Sequence, residues 1–161
     1  MRQALAELSP GADPHVRMHV LLDAAEDGDP AFVLQRCDEV LATAQQLEFA
    51  GVVMKARLLR ARAQSRAGDT AAAAAAMRTL VDQLPATPPA DLYPARAWWL
   101  AARVFEASGD GDHALMALAH GAQWVRRVAL PEVPEAFRDS FLQRNPINRQ
   151  LLAAADRGHP E

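Results

Sequence analysis

Apolar residues along the chain recur at spacings of three and four. Val33, Cys37, Val40, Ala44 and Leu47 step by four, three, four and three, which paints one stripe along an α-helix. No segment sustains the period of two that a half-buried strand needs. The pattern predicts a helix from Pro14 to about Glu26, with Val16, Val20, Leu21 and Ala24 on one side and Asp13 as its cap. A second opens at Pro30, capped by Asp29, and ends at the break Phe49-Ala50-Gly51. A third runs from about Val52 to Ala67. A fourth, capped by Thr70, continues through Met77, Leu80 and Val81 to Leu84-Pro85. A fifth spans about Pro94 to Ala107. A sixth, opened by Asp112, has Ala114, Leu118, Gly121, Val125 and Val128 as its seam. Two short helices close the chain, Glu135 to about Arg144 and Pro146 to about Asp156, the last capped by Asn145. Residues 1–8 suit a short helix, and Ala86-Thr87-Pro88-Pro89-Ala90-Asp91 reads as a proline-rich loop.

The helix breaks are themselves periodic. Gly-Asp occurs at Gly28-Asp29, Gly68-Asp69 and Gly109-Asp110, separated by 68 − 28 = 40 and 109 − 68 = 41 residues. Even spacing on this scale marks a helical-repeat array. Units of about 13–50, 51–92 and 93–131 follow, with capping helices at 132–158, in one helical domain covering 1–161. Phe137, Phe141, Leu142, Ile147, Leu151 and Leu152 are expected to cover the open end. Ala102 and Ala114 are expected at the contact of their helix pair. Half of the 161 residues are apolar, and the abundance of alanine, the best helix former, agrees with an all-helical chain.

Charge changes the picture locally. The net charge of −3 gives no whole-surface case for nucleic acid or an anionic membrane. Residues 1–50, however, carry three Arg against nine acids, whereas 51–80 carry Lys55 and five Arg against Asp69 alone. Either acidic and basic helices neutralise each other side by side, or the second segment offers a basic binding face. A single cysteine, Cys37, excludes an intramolecular disulfide and suits a reducing compartment. No apolar run approaches the ~20 residues of a membrane span, and the N-terminus lacks an apolar signal core. The chain reads as cytoplasmic.

Trp98-x2-Ala101-Ala102-x2-Phe105, followed by Gly109-Asp110, Ala114-x3-Leu118 and Gly121, resembles a tetratricopeptide repeat. The preceding unit matches at Ala61, Gly68-Asp69, Ala73, Met77 and Pro85. There Arg57, Arg60 and Gln64 stand where large apolar residues belong, so its first helix must pack differently. The period exceeds the roughly 34 residues of the standard repeat. It is similar to the degenerate arrays of bacterial ATP-dependent LuxR-type regulators and of related predicted ATPases, as is the closing segment from Val133 to Leu152. The resemblance implies an all-α, tetratricopeptide-like right-handed superhelix of about eight antiparallel helices without a sheet. It implies a non-catalytic module that binds a protein or peptide, or other domains of a longer bacterial signalling or transcription regulator. The alternatives are a small-molecule sensor for an anionic effector, or a structural assembly or dimerisation spacer; a homodimer is compatible with either. No direct contact with nucleic acid or membrane is expected.

The candidate chemistry is sparse. His15 and His19 share a helix face, as do His113 and His120, but further ligands are lacking and no metal is expected. Gly109-Asp110-Gly111-Asp112 lacks the ligand pattern of a calcium loop. Cys37 reads as a small buried hydrophobe. No acid, base and nucleophile assemble, so neither enzyme activity nor a cofactor is expected. The candidate site follows from the repeat geometry. The first helix of each pair lines the concave side of such an array, which would put Lys55, Arg62 and Arg66, then Arg96, Trp99 and Arg103, in the groove. Trp98 goes to the pair's core, and Trp99, about 100° round the helix, faces the groove. A tryptophan flanked by arginines can stack a ligand or hold a carboxylate. Alternatively, the arginine stems merely cover apolar surface while their heads stay in water.

Overall fold

A computed structural model describes residues 13–84, 92–129 and 131–157. The helix expected at 1–8 and the proline-rich loop at 86–91 lie outside them. Every regular element among the described residues is helical. In chain order these are α1 (Pro14–Ala25), α2 (Pro30–Gln46), α3 (Ala50–Arg66), α4 (Thr70–Asp82), α5 (Pro94–Ala107), α6 (Gly111–Ala129), α7 (Glu135–Asp139), a π-turn (Ser140–Arg144) and α8 (Pro146–Arg157). They divide into two compact units, Met1–Leu92 and Tyr93–Glu161.

Local chemistry sets the helix starts. Asp13 accepts hydrogen bonds from the His15 and Val16 backbone N–H groups, and Asp29 accepts one from Ala31. Pro14 and Pro30 follow them at the first helical position, where the missing N–H is harmless. The fourth helix is capped by Asp69, whose carboxylate accepts from the Ala72 N–H; Thr70 is its first residue rather than its cap. Asp110 plays the same part for α6 through the His113 N–H, and Asp112 lies inside the first turn. Asn145 caps α8 through Ile147 and Asn148.

The ends share one device. The α3–α4 turn places Gly68 at φ 96° and returns the Asp69 N–H to the Gln64 carbonyl. The α5–α6 turn places Gly109 at φ 77° and returns the Asp110 N–H to the Phe105 carbonyl. Both are Schellman closures around a left-handed residue. The α2–α3 turn uses the same closure, from the Phe49 N–H to the Ala44 carbonyl, but its left-handed residue is Glu48 at φ 56°. The break therefore falls at 47–49, and Gly51 lies buried inside α3. Gly28 departs from the other two: its φ is not positive, and its N–H bonds the Ala25 carbonyl in a shorter turn.

In the first unit α1 packs on α2, α3 packs on both, and α4 packs on α3. Its core holds Leu22, Val33, Cys37, Val40, Val52, Leu59 and Met77. The buried face of α1 is Met18, Leu22 and Ala25, while Val16 is 52% exposed. The expected face of α1 was displaced because its aliphatic residues surround the helix, leaving no single stripe to read. In the second unit α5 and α6 pack together and α8 packs on both. Ala102 and Ala114 are buried, as are Phe105, Ala117 and Val125. Leu151 of α8 is buried in a cluster with Ala95 and Val125, against which Phe141, Leu142, Ile147 and Leu152 also lie. Phe137 departs from the expected cap and is 64% exposed. A Cβ at Gly121 would come within 2.8 Å of the Leu151 side chain, so this helix pair receives α8 because position 121 has no side chain.

One polar network holds the C-terminal segment. Asn148, 0% exposed, accepts from the Tyr93 hydroxyl at 2.6 Å and donates to the Phe141 carbonyl in the π-turn at 2.8 Å. The Tyr93 ring meets Trp124 edge to face at 5.5 Å. Burial raises the Tyr93 pKa, an effect its bonds to Asn148 and Asn145 oppose.

Candidate functional site: the Trp99 cleft

The cations singled out from the sequence fall in two groups. Lys55, Arg62 and Arg66 stand on α3 and turn onto α1 and the turn after it. Lys55, its side chain only 17% exposed, pairs with Asp23 at 2.7 Å and lies 3.3 Å from His19 Nδ1. Arg62 reaches Glu26 at 3.3 Å and Asp27 at 3.7 Å. Arg66 donates to the Gly28 carbonyl. One residue-pair further round, Arg60 pairs with Asp38 of α2 at 2.8 Å. Parts of the acidic and basic segments are thus brought side by side, and Lys55, Arg60 and Arg62 are each matched by an acid of the first unit.

Arg96, Trp99 and Arg103 stand on α5. Arg96 is half-buried. Trp99 is also half-buried, and its indole N–H donates to Gln150 Oε1 of α8 at 3.0 Å. The Arg103 guanidinium lies over the Trp99 ring, 5.8 Å from its centre, and is tethered to Glu106 at 2.6 Å. Trp98 points elsewhere and stacks on His120 at 4.9 Å.

A cleft of about 390 Å³ opens beside Trp99. Arg103 and Glu106 line its α5 wall, Leu115 and Leu118 its α6 wall, and Gln150, Ala154 and Arg157 its α8 wall. The sequence reading found the α5 residues by helical spacing. It missed Leu115, Gln150 and Arg157, which join the site only because α8 folds back onto the α5–α6 pair. The exposure of Leu115, a large apolar residue left out of the helix seam, was the one local hint. The cleft offers an aromatic face, an apolar wall and two guanidinium groups, which together suit an apolar side chain adjoining a carboxylate.

Burial pushes the Cys37 thiol up to about 11; Asp38 adds to that rise and Arg60 opposes it. A neutral, buried thiol is no nucleophile. The His15 and His19 rings meet edge to face, 4.6 Å apart. Among the described residues no group of three or more His, Cys, Asp or Glu side chains is placed to hold a metal ion, and no helix is long and apolar enough to cross a membrane. Compared with protein-family models, curated proteins and solved structures, the chain matches none.

Proposed function

We propose that the protein is a non-catalytic, tetratricopeptide-like helical-repeat module of a bacterial regulatory system, and that the Trp99 cleft holds an acidic segment of a protein partner. The repeat reading is supported by two turns of the same construction 41 residues apart, around Gly68 and Gly109. The binding reading rests on one observation: Trp99 is fixed by Gln150 and flanked by Arg103 over an open, partly apolar cleft. A carboxylate entering there competes with Glu106 for Arg103, and Arg157 supplies a second cation. An adjoining apolar side chain lies against Trp99 and Leu118. The partner is therefore a segment alternating acidic and large apolar residues, and its binding is salt-sensitive because exposed charges are screened over roughly 8–10 Å at physiological ionic strength.

Fluorescence anisotropy with two labelled decapeptides tests this. One alternates Glu with Leu and Phe; the other carries Lys in place of each Glu. The acidic peptide is expected to bind, to weaken as salt rises, and to weaken about fivefold or more with Arg103→Glu while the melting temperature holds, since an exposed charge contributes about 0–1 kcal/mol to stability. Equal binding of both peptides, or an Arg103→Glu protein that binds as tightly as wild type, contradicts the reading.

A further inference from the structure

Two groups of its own helix hold the Arg103 guanidinium in the Trp99 cleft. It lies over the Trp99 ring, 5.8 Å from the centre, and its Nη1 pairs with Glu106 at 2.6 Å. Trp99, Arg103 and Glu106 follow one another along α5 at spacings of four and three, which puts them on one helix face. All three line the cleft. The Glu106 carboxylate thus stands inside the site, at the very guanidinium that a partner's acid would take. Both side chains remain in reach of water, Arg103 at 55% and Glu106 at 40% exposure, so the pair opens without disturbing the core.

We infer that Glu106 is a built-in competitor at this cleft and determines its specificity, a role that rests on the cleft's holding an acidic segment. A carboxylate that enters at Arg103 breaks one charge-assisted bond for the one it forms. The freed Glu106 returns to water, and the number of ion pairs at Arg103 is unaltered. Charge at that point therefore adds little to affinity. The contacts of apolar side chains with Trp99, Leu115 and Leu118 carry more of it, because each removes apolar surface from water. The cleft thus turns away an acidic segment that brings no large apolar residue. Glu106 sets this bias: with a neutral amide in its place, the same carboxylate gains a pair at Arg103 without breaking one.

The test uses the full chain, the labelled Glu-Leu-Phe decapeptide and a neutral decapeptide with Gln in place of each Glu. Anisotropy is read at low and at physiological salt with wild type, Glu106→Gln and Asp139→Asn. Asp139 is an exposed acid of the second unit outside the cleft lining, so its variant removes the same charge without touching Arg103. Thermal melts confirm that each variant folds. Glu106→Gln is expected to tighten the Glu peptide about two- to fivefold, the range that an exposed ion pair spans. It should leave the Gln peptide unaltered and steepen the loss of binding with salt, since a net pair is now formed and screened. Asp139→Asn should behave as wild type at physiological salt. If wild type binds the Glu peptide and Glu106→Gln binds it no more tightly, or if Asp139→Asn tightens it as much, the inference is overturned and the acidic-segment reading stands. A Glu peptide that neither wild type nor Glu106→Gln binds overturns both.

Discussion

Glu48 is the residue at which the local rules are most visibly broken. It closes α2 in the left-handed region at φ 56°, where a side chain with a Cβ costs roughly 1–2 kcal/mol and where glycine stands at both Gly68 and Gly109. Replacing it with glycine removes the steric cost and adds some backbone entropy to the unfolded chain. The expected outcome of Glu48→Gly is a gain of about 0.5–1 kcal/mol in chemical denaturation. A loss would show that the Glu48 side chain supports the turn by contacts of its own. Cys37 carries the second residue-scale expectation. Its folded pKa is raised to about 11, above the ordinary thiol value, so the folded state keeps the proton longer. Below the ordinary value this group leaves stability unaltered by pH. As pH climbs from about 9 towards 11 the unfolded chain releases the proton first, and stability falls. Denaturant titrations at pH 8, 9 and 10 should show that decline, and Cys37→Ala should flatten its lower part. The thiol should also react with a disulfide reagent only as fast as the protein opens.

At the scale of elements, the helix starts marked by a capping residue followed by proline were legible, and the faces only in part. Asp13-Pro14, Asp29-Pro30 and Asn145-Pro146 announce their helices through capping oxygens and a fixed proline φ, and all three stand where the sequence put them. The α2 stripe was legible at Val33, Cys37, Val40 and Ala44, all buried, but not at Leu47, which stands past the end of the helix and is 44% exposed. The face of α1 was misplaced because Val16, Val20 and Leu21 compete with Met18 and Leu22 for the interior, and only packing against α2 and α3 decides. Gly28-Asp29 was grouped with the other two Gly-Asp pairs by spelling, although it closes a turn of different geometry. The π-turn at Ser140–Arg144 has no sequence mark. Its Phe141 carbonyl serves Asn148, and that buried amide is answered by Tyr93. Tyr93→Phe keeps the ring against Trp124 but leaves Asn148 Oδ1 without its hydroxyl donor. The expected cost is about 1–3 kcal/mol, the penalty of an unsatisfied buried group, with faster amide exchange in α8. An unchanged melting temperature would show that α8 is held by Leu151 alone.

At the scale of the molecule, the all-helical character and the two matching turns followed from alanine content and Gly-Asp spacing, because both are local properties. The site was only half legible. Helical spacing put Arg96, Trp99 and Arg103 on one helix, but Lys55 and Arg62 find their acids 32 and 36 residues away, and Arg66 a backbone carbonyl 38 away, separations no pattern along the chain reveals. The same folding back that matches those charges in the first unit builds the cleft in the second, by bringing Gln150 and Arg157 to Trp99. The proposal that the protein recognises an acidic segment there is tested most directly by the Trp99 indole resonance. In a ¹H–¹⁵N correlation spectrum the three tryptophans give three indole signals, and Trp99→Phe assigns one. Titration with the Glu-Leu-Phe peptide should shift the Trp99 indole and the Arg103 side-chain signal together, saturably, while the Trp124 indole stays in place. Saturable shifts confined to other residues, or a Trp99 signal indifferent to the peptide, would contradict it.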